Sequence, residues 1–290
     1  MTHAEAVARV REIQAAEQGV NPVCSYGLLD DGRRTERAII LIHGLTSCPK
    51  MYDQLAAALH ETGANILIPR LPHHGLRDRL TRELSLLSAA DMAATASEAL
   101  AIAAGLGEKV TVAGISLGGV LAGWLAQFRL GVDRAVLIAP LFGAPIVPEW
   151  FSDFLGFAAD TMPNTFIWWN RKEKAYSAGP AYSYPRFPTH AYGEMLKLGH
   201  EAKSVARHKP PKAGELRVVV NLADPAVNNV VTFRLAEAWR RNGAGVKTYE
   251  FPRELGLAHD LISPEQPYAR TGVTYPVLLD WIMSEVPSGS

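Results

Sequence analysis

The run Val112-Ala113-Gly114-Ile115-Ser116-Leu117-Gly118-Gly119 joins an apolar, β-branched stretch, Lys109-Val110-Thr111-Val112, to a helical pattern starting near Leu117. Its centre fits G-x-S-x-G, a serine on a sharp strand-to-helix turn. Such a turn holds its central residue in a costly backbone state that persists only where the surroundings enforce it. Gly114 and Gly118 remove the side chains that would collide there. The turn also sets the Ser116 hydroxyl at a helix N-terminus, where unpaired N–H groups and the helix dipole favour negative charge. A Gly-Ser turn in any βα unit would look the same in isolation, so the flanking segments must discriminate.

Those segments alternate. Ala38-Ile39-Ile40-Leu41-Ile42 is a continuous apolar run, as in a strand covered on both faces, and it ends in His43-Gly44-Leu45-Thr46-Ser47. A helix over 52–60 and a buried strand over 64–68 follow, then Pro69-Arg70-Leu71-Pro72-His73-His74-Gly75. Ser88-Ala89-Ala90-Asp91 has the form of an acidic capping box opening an Ala-rich helix to about Ala104. After the serine turn come a helix over 117–127 and a strand over 135–138. From 214 the rhythm resumes, with strands over 216–222 and 246–251 and helices over 230–241 and 273–285. An amphipathic helix over 3–18 and an edge strand over 23–29 precede all of this, and 287–290 is expected to fray. Short apolar runs alternating with helices predict an α/β fold with a mostly parallel central sheet flanked by helices.

The rhythm breaks between Pro140 and Gly214. That stretch carries more than half of the chain's Trp, Tyr and Phe, among them Trp150, Phe151, Trp168, Trp169 and Tyr176. A connection of this length far exceeds the usual roughly 4–6 residues, and such excursions tend to be lids or binding loops. The expected organisation is a core of 1–139 and 214–290 with a cap inserted at 140–213. Its aromatics either fill a small core of their own or wall a substrate pocket. The pocket is the favoured reading, with Trp150, Phe151, Trp168 and Trp169 as lining.

Composition removes several function classes. Lys plus Arg and Asp plus Glu are both 29, so no net charge draws the chain to nucleic acid or an anionic membrane. No apolar run reaches spanning length, and the charged N-terminal region lacks a signal-type apolar core, so a cytoplasmic location is expected. Cys24 and Cys48 make no disulfide framework and no metal-ligand pattern. Cys48, without an activating partner, is expected to be a bystander close to the 43–47 loop.

A serine hydroxyl needs a base to take its proton and a carboxylate to orient that base. Downstream of Ser116 the loops offer Asp224, then His259, in the order Ser, acid, His. Asp224 sits where a strand hands over to its loop, and Pro225 holds it extended. His259 follows the last strand. Asp260 could compete as the acid, but neighbours rarely present side chains to each other, so it is read as a local hydrogen-bond acceptor. An oxyanion would take the amides of Leu117 and of Leu45, whose loop ends a buried strand. His43 precedes the serine and is assigned to loop structure. His190, His200 and His208 are weaker base candidates.

The runs Ile42–Thr46 and Pro69–Gly75, the serine turn, Asp224-Pro225 and His259 resemble bacterial carboxylesterases and monoacylglycerol lipases of the α/β-hydrolase superfamily. The resemblance covers most of the chain outside the insertion. It implies an α/β-hydrolase fold, a triad of Ser116, His259 and Asp224, and ester hydrolysis through an acyl-enzyme without metal or cofactor. Two departures stand out: His73-His74-Gly75 replaces the commoner Gly-His-Gly, and the insertion is longer and more aromatic than a minimal cap. The expected substrate is a small to medium apolar ester. A thioesterase, amidase or C–C bond hydrolase could use the same triad, and a ligand receptor without turnover could use the same pocket. A docking protein using the aromatic insertion is the third class.

Overall fold

The computed structural model describes residues 1–170 and 179–284. Nine strands run β1 Gly27–Leu29, β2 Thr35–Ile42, β3 Asn65–Ile68, β4 Gly107–Ile115, β5 Arg134–Ile138, β6 Phe166–Trp168, β7 Arg186–Pro188, β8 Glu215–Asn221 and β9 Val246–Phe251. The helices are α1 His3–Ala16, α2 Asp53–His60, α3 Ala89–Leu106, α4 Leu117–Phe128, α5 Glu149–Ala158, α6 Thr189–Ala206, α7 Asn229–Arg241 and α8 Thr271–Met283. Tyr176, residue 285 and the tail at 287–290 lie outside the described residues.

Seven strands form one sheet in the order β1-β3-β2-β4-β5-β8-β9, all parallel except β1, which pairs antiparallel with β3 at the edge. The serine-bearing β4 is the middle strand. Continuous apolar runs become strands here because both faces are covered. Along β2, Ala38, Ile40 and Ile42 join the core on one face, while Ile39 and Leu41 join the other. That is the two-residue alternation of a pleat read through an unbroken apolar sequence. Each isoleucine or leucine so buried contributes roughly 1.5–3 kcal/mol.

The sequence's helix starts hold with one adjustment. Ser88 Oγ accepts from Asp91 N–H at 3.1 Å, as a cap should, but the Asp91 carboxylate accepts from the Ser88 hydroxyl (2.6 Å) instead of reaching back to the backbone. Asp is one methylene shorter than the Glu of a full capping box. The edge strand is also shorter than expected, because Pro22–Cys24 folds into a 3₁₀ turn.

That turn underlies a correction. Cys24 and Cys48, read from sequence as forming no disulfide framework, are bonded to each other with Cα atoms 5.4 Å apart. Cys48 caps a second 3₁₀ turn, Pro49–Tyr52, directly after the 43–47 loop. The fold stacks the two turns, and a separation of 24 residues in sequence gives no sign of that. Both cysteines are fully buried.

Between β5 and β8 the chain builds α5, the β6–β7 ribbon and α6. These parts differ. Ala191, Met195, Leu198, Ala202 and Ala206 of α6 share one apolar cluster with α4 and the sheet. By contrast, α5 leaves Trp150, Phe154 and Phe157 more than half exposed. So α6 wraps the sheet, and the outlying structure is confined to the residues before it.

Candidate active site

Four strand ends on the carboxyl edge of the sheet supply the site, where open parallel sheets usually carry their sites. Ser116 follows β4 with φ 57° and ψ −114°, a state worth roughly 1–3 kcal/mol of strain for a residue with a side chain. Backbone bonds hold it there: its N–H donates to Ile138 O (3.0 Å), and its carbonyl accepts from Val120 (3.0 Å) and Leu141 (3.3 Å). Close packing explains the flanking glycines. A β-carbon at Gly118 would lie 1.9 Å from Ile42 O, and one at Gly114 would lie 2.2 Å from Gly118 O.

The loop after β2 lies alongside. A β-carbon on Gly44 would stand 3.5 Å from Ser116 Cβ, ordinary van der Waals contact, so the chain at Gly44 runs directly beside Ser116. Leu45 follows, 7% exposed. Leu117 is the first residue of α4, one of the positions whose N–H a helix leaves unpaired. Both expected donor residues therefore sit next to Ser116 in the fold.

His43 is fully buried, consistent with its assignment to structure. Leu71 N–H donates to its Nε2 (3.1 Å), so the ring proton sits on Nδ1, which donates to Gly44 O (3.0 Å). Burial pulls its pKa down to about 4, so the ring is neutral near pH 7. The ring of His74 meets it edge-on at 5.0 Å. His74 donates from Nδ1 to Pro72 O (2.8 Å), and burial holds its pKa well below the ordinary value.

Asp224 and His259 come from the loops after β8 and β9. His259 Nδ1–H donates to Asp224 Oδ2 at 2.6 Å, with the Asp224 side chain fully buried. Asp224 Oδ1 accepts from Ala226 N–H (2.8 Å), a local turn that fixes the carboxylate. Burial disfavours the charged imidazolium. The charge and hydrogen bond of Asp224, with the charge of Asp260, outweigh this and leave the His259 pKa above its ordinary value. Asp260 accepts from the N–H groups of Ile262 (2.9 Å) and Ser263 (3.0 Å), as its local reading expects. His190 and His200 instead bond to Met162 O and to Asp153.

Sequence reasoning passed over Asn221. At the end of β8 its Nδ2 donates to the carbonyls of Leu257 (2.9 Å) and Ala258 (3.0 Å), tying the His259 loop to the strand that leads to Asp224. The available signal was a buried polar residue closing the apolar run Val218-Val219-Val220.

The four expected lining aromatics part company. Trp169 Nε1–H donates to Thr46 Oγ1 (2.9 Å), and Tyr184 N–H donates to Thr46 O (2.8 Å), so Trp169 and Tyr184 are both anchored to the loop carrying Leu45. Trp168 and Phe166 instead hold the Arg186 guanidinium against their rings. Trp150 and Phe151 form an aromatic row with Phe154 on α5. Trp150 lines a groove of about 690 Å³ with Glu149, Arg207, Asn228 and Arg234, apart from Ser116, Asp224 and His259.

A sequence model of the Alpha/beta hydrolase family matches residues 39–278, from β2 into α8. The chain belongs to the alpha/beta hydrolase family. This alpha/beta hydrolase is similar in fold to several solved structures of low sequence identity. One is described among two metagenome-derived lipolytic enzymes, at 19% identity and TM-score 0.65, covering 91% of this chain and 98% of the other. A monoacylglycerol lipase from Paleococcus ferrophilus shares 17% identity at TM-score 0.64, covering 89% and 98%. A soluble variant of monoglyceride lipase from Saccharomyces cerevisiae shares 13% at TM-score 0.65, covering 89% and 90%. No curated protein sequence matches the chain. Among the described residues, no helix of this alpha/beta hydrolase is long and apolar enough to cross a membrane.

Proposed function

We propose that the protein is a serine hydrolase that cleaves a small to medium apolar carboxylic ester through an acyl-enzyme. The observation that carries this reading is the His259–Asp224 pair, 2.6 Å apart, on the same sheet edge as a serine at positive φ. Ser116 Oγ attacks the ester carbonyl while His259 Nε2 takes its proton. Asp224 fixes the ring and stabilises the imidazolium that forms. The amides of Leu45 and Leu117 receive the oxyanion, a donor role each worth roughly 2.7–4 kcal/mol of transition-state stabilisation. On collapse the C–O bond breaks, His259 returns the proton to the leaving alcohol and the acyl group stays on Ser116. Water, deprotonated by the same ring, then releases the carboxylic acid.

In this reading the cap expected at 140–213 is the part of that insertion before α6, with Trp169 among its contacts to the loop after β2. Neither metal nor cofactor has a step to perform. The cytoplasmic location expected from sequence is weakened by the Cys24–Cys48 bond, since disulfides persist chiefly in oxidising compartments. The deciding experiment measures hydrolysis of p-nitrophenyl esters from acetate to palmitate by wild type and Ser116→Ala. Activity on some chain lengths that vanishes in the variant supports the reading. Activity that survives Ser116→Ala defeats it, and an inert wild type favours a C–C hydrolase or a receptor.

A further inference from the structure

The peptide joining Gly44 to Leu45 is one rigid trans plane, so the Gly44 carbonyl and the Leu45 N–H point in opposite directions. Whatever holds the carbonyl aims the amide. Gly44 O accepts two hydrogen bonds, from Ser47 N–H at 3.1 Å and from His43 Nδ1–H at 3.0 Å. The first closes the turn. The second comes from a side chain that is itself held: Leu71 N–H donates to its Nε2, the His74 ring packs on it, and it is fully buried. A single hydrogen bond lets a peptide plane tilt, whereas two donors from different directions fix it. Gly44 itself runs beside Ser116, where a β-carbon built on it would stand 3.5 Å from Ser116 Cβ.

We propose that His43 is a positioning residue, which aims the Leu45 N–H at the oxyanion by holding the Gly44 carbonyl on the far side of the shared peptide plane. The inference rests on the serine-hydrolase reading and assigns His43 a task that moves no proton. Its neutral, Nδ1-protonated ring suits that task, because a charged ring could not accept from Leu71.

Two amide substitutions separate this role from simple packing. Asn places its side-chain nitrogen near the position of Nδ1, while Gln places its amide near that of Nε2. His43→Asn therefore keeps the donor to Gly44 and abandons Leu71. His43→Gln does the reverse. The measurements are kcat and KM on the best p-nitrophenyl ester, thermal unfolding, and the Leu45 amide signal with ¹³C′-Gly/¹⁵N-Leu labelling, which confines the spectrum to Gly–Leu peptides. The expected result is that His43→Asn melts earlier yet keeps kcat within roughly threefold, since its oxyanion donor stays aimed. His43→Gln should melt near wild type but lose roughly ten- to hundredfold in kcat at unchanged KM, with the Leu45 signal displaced. Equal kcat for both variants, or kcat that follows thermal stability, overturns the proposal. If His43→Asn does not fold, His43→Gln against wild type decides it alone. If Ser116→Ala retains hydrolysis, the serine-hydrolase reading fails instead. A Leu45 signal unmoved in His43→Gln then overturns the positioning as well.

Discussion

His259 Nδ1 and Asp224 Oδ2 are held 2.6 Å apart across 35 residues of chain, and Asn221 ties together the two loops that carry them. The carboxylate outweighs the cost of burying a charged ring and leaves the imidazole harder to deprotonate than free histidine. In the proposed mechanism the neutral ring takes the serine proton, so the acidic limb of kcat/KM should have its midpoint above 6.5. Asp224→Asn should shift that limb to lower pH and reduce kcat by about 10⁴, the loss typical when the orienting acid goes. A pH–rate profile of the two proteins checks both. Linkage gives the sign for stability. A raised folded-state pKa stabilises the fold fully below the unfolded value and ceases to do so as pH rises through the folded one. Asp224→Asn should therefore cost more stability at pH 5 than at pH 9.

Much of this site was legible in the sequence because its parts are local. The serine turn is a five-residue pattern, Asp224 follows the apolar run 216–222, and His259 follows the β-branched and aromatic stretch 246–251, both read as strands. The Cys24–Cys48 bond was not legible, since it depends on two 3₁₀ turns meeting through the fold. Asn221 escaped for a similar reason: its partners are backbone carbonyls 36 and 37 residues away, which no side-chain pattern announces. The helix α6 was hidden inside the insertion because its inward face mixes Met195, Leu196 and Leu198 with small residues, Ala191, Gly193, Gly199, Ala202 and Ala206.

His43 and His74 make the fold acid-sensitive. Both are buried with depressed pKa values, so the unfolded chain binds protons that the folded chain refuses. Stability should fall as pH drops below 6.5, and His43 alone should account for about 3 kcal/mol by pH 4. The raised pKa of His259 acts in the opposite sense. Urea unfolding at several pH values should show the decline, and His43→Gln should flatten it. An unchanged slope in that variant would contradict the assignment of His43 as a buried neutral ring.

The disulfide leaves no thiol for Cys48 to present. Alkylation without reductant should label neither cysteine, even in denaturant. Replacing both Cys24 and Cys48 by Ala should lower unfolding free energy by about 3 kcal/mol, the value expected for closing a loop of this length. Mass spectrometry and denaturant titration measure these two effects. A free thiol in unreduced, unfolded protein would refute the pairing.

Trp169 reaches the loop after β2 through one side-chain hydrogen bond to Thr46. Trp169→Phe keeps the ring and deletes the donor, at a net cost of about 0.5–1.5 kcal/mol. If Trp169 walls the acyl site, KM for longer esters should rise roughly two- to tenfold while kcat on acetate is unchanged. Equal effects on all chain lengths would place Trp169 in structural support only.

The shared core of α4 and α6 also sets where this protein can be exchanged piecewise with others of its shape. The described residues between about Leu141 and Pro188 leave the sheet and return to it at the foot of α6, with α5 and the β6–β7 ribbon among them. A graft confined to that interval would leave the wall of the sheet standing. One that took 140–213 as a whole would carry off the wall with it, and the recipient would need a replacement helix with the same run of small residues before it could fold.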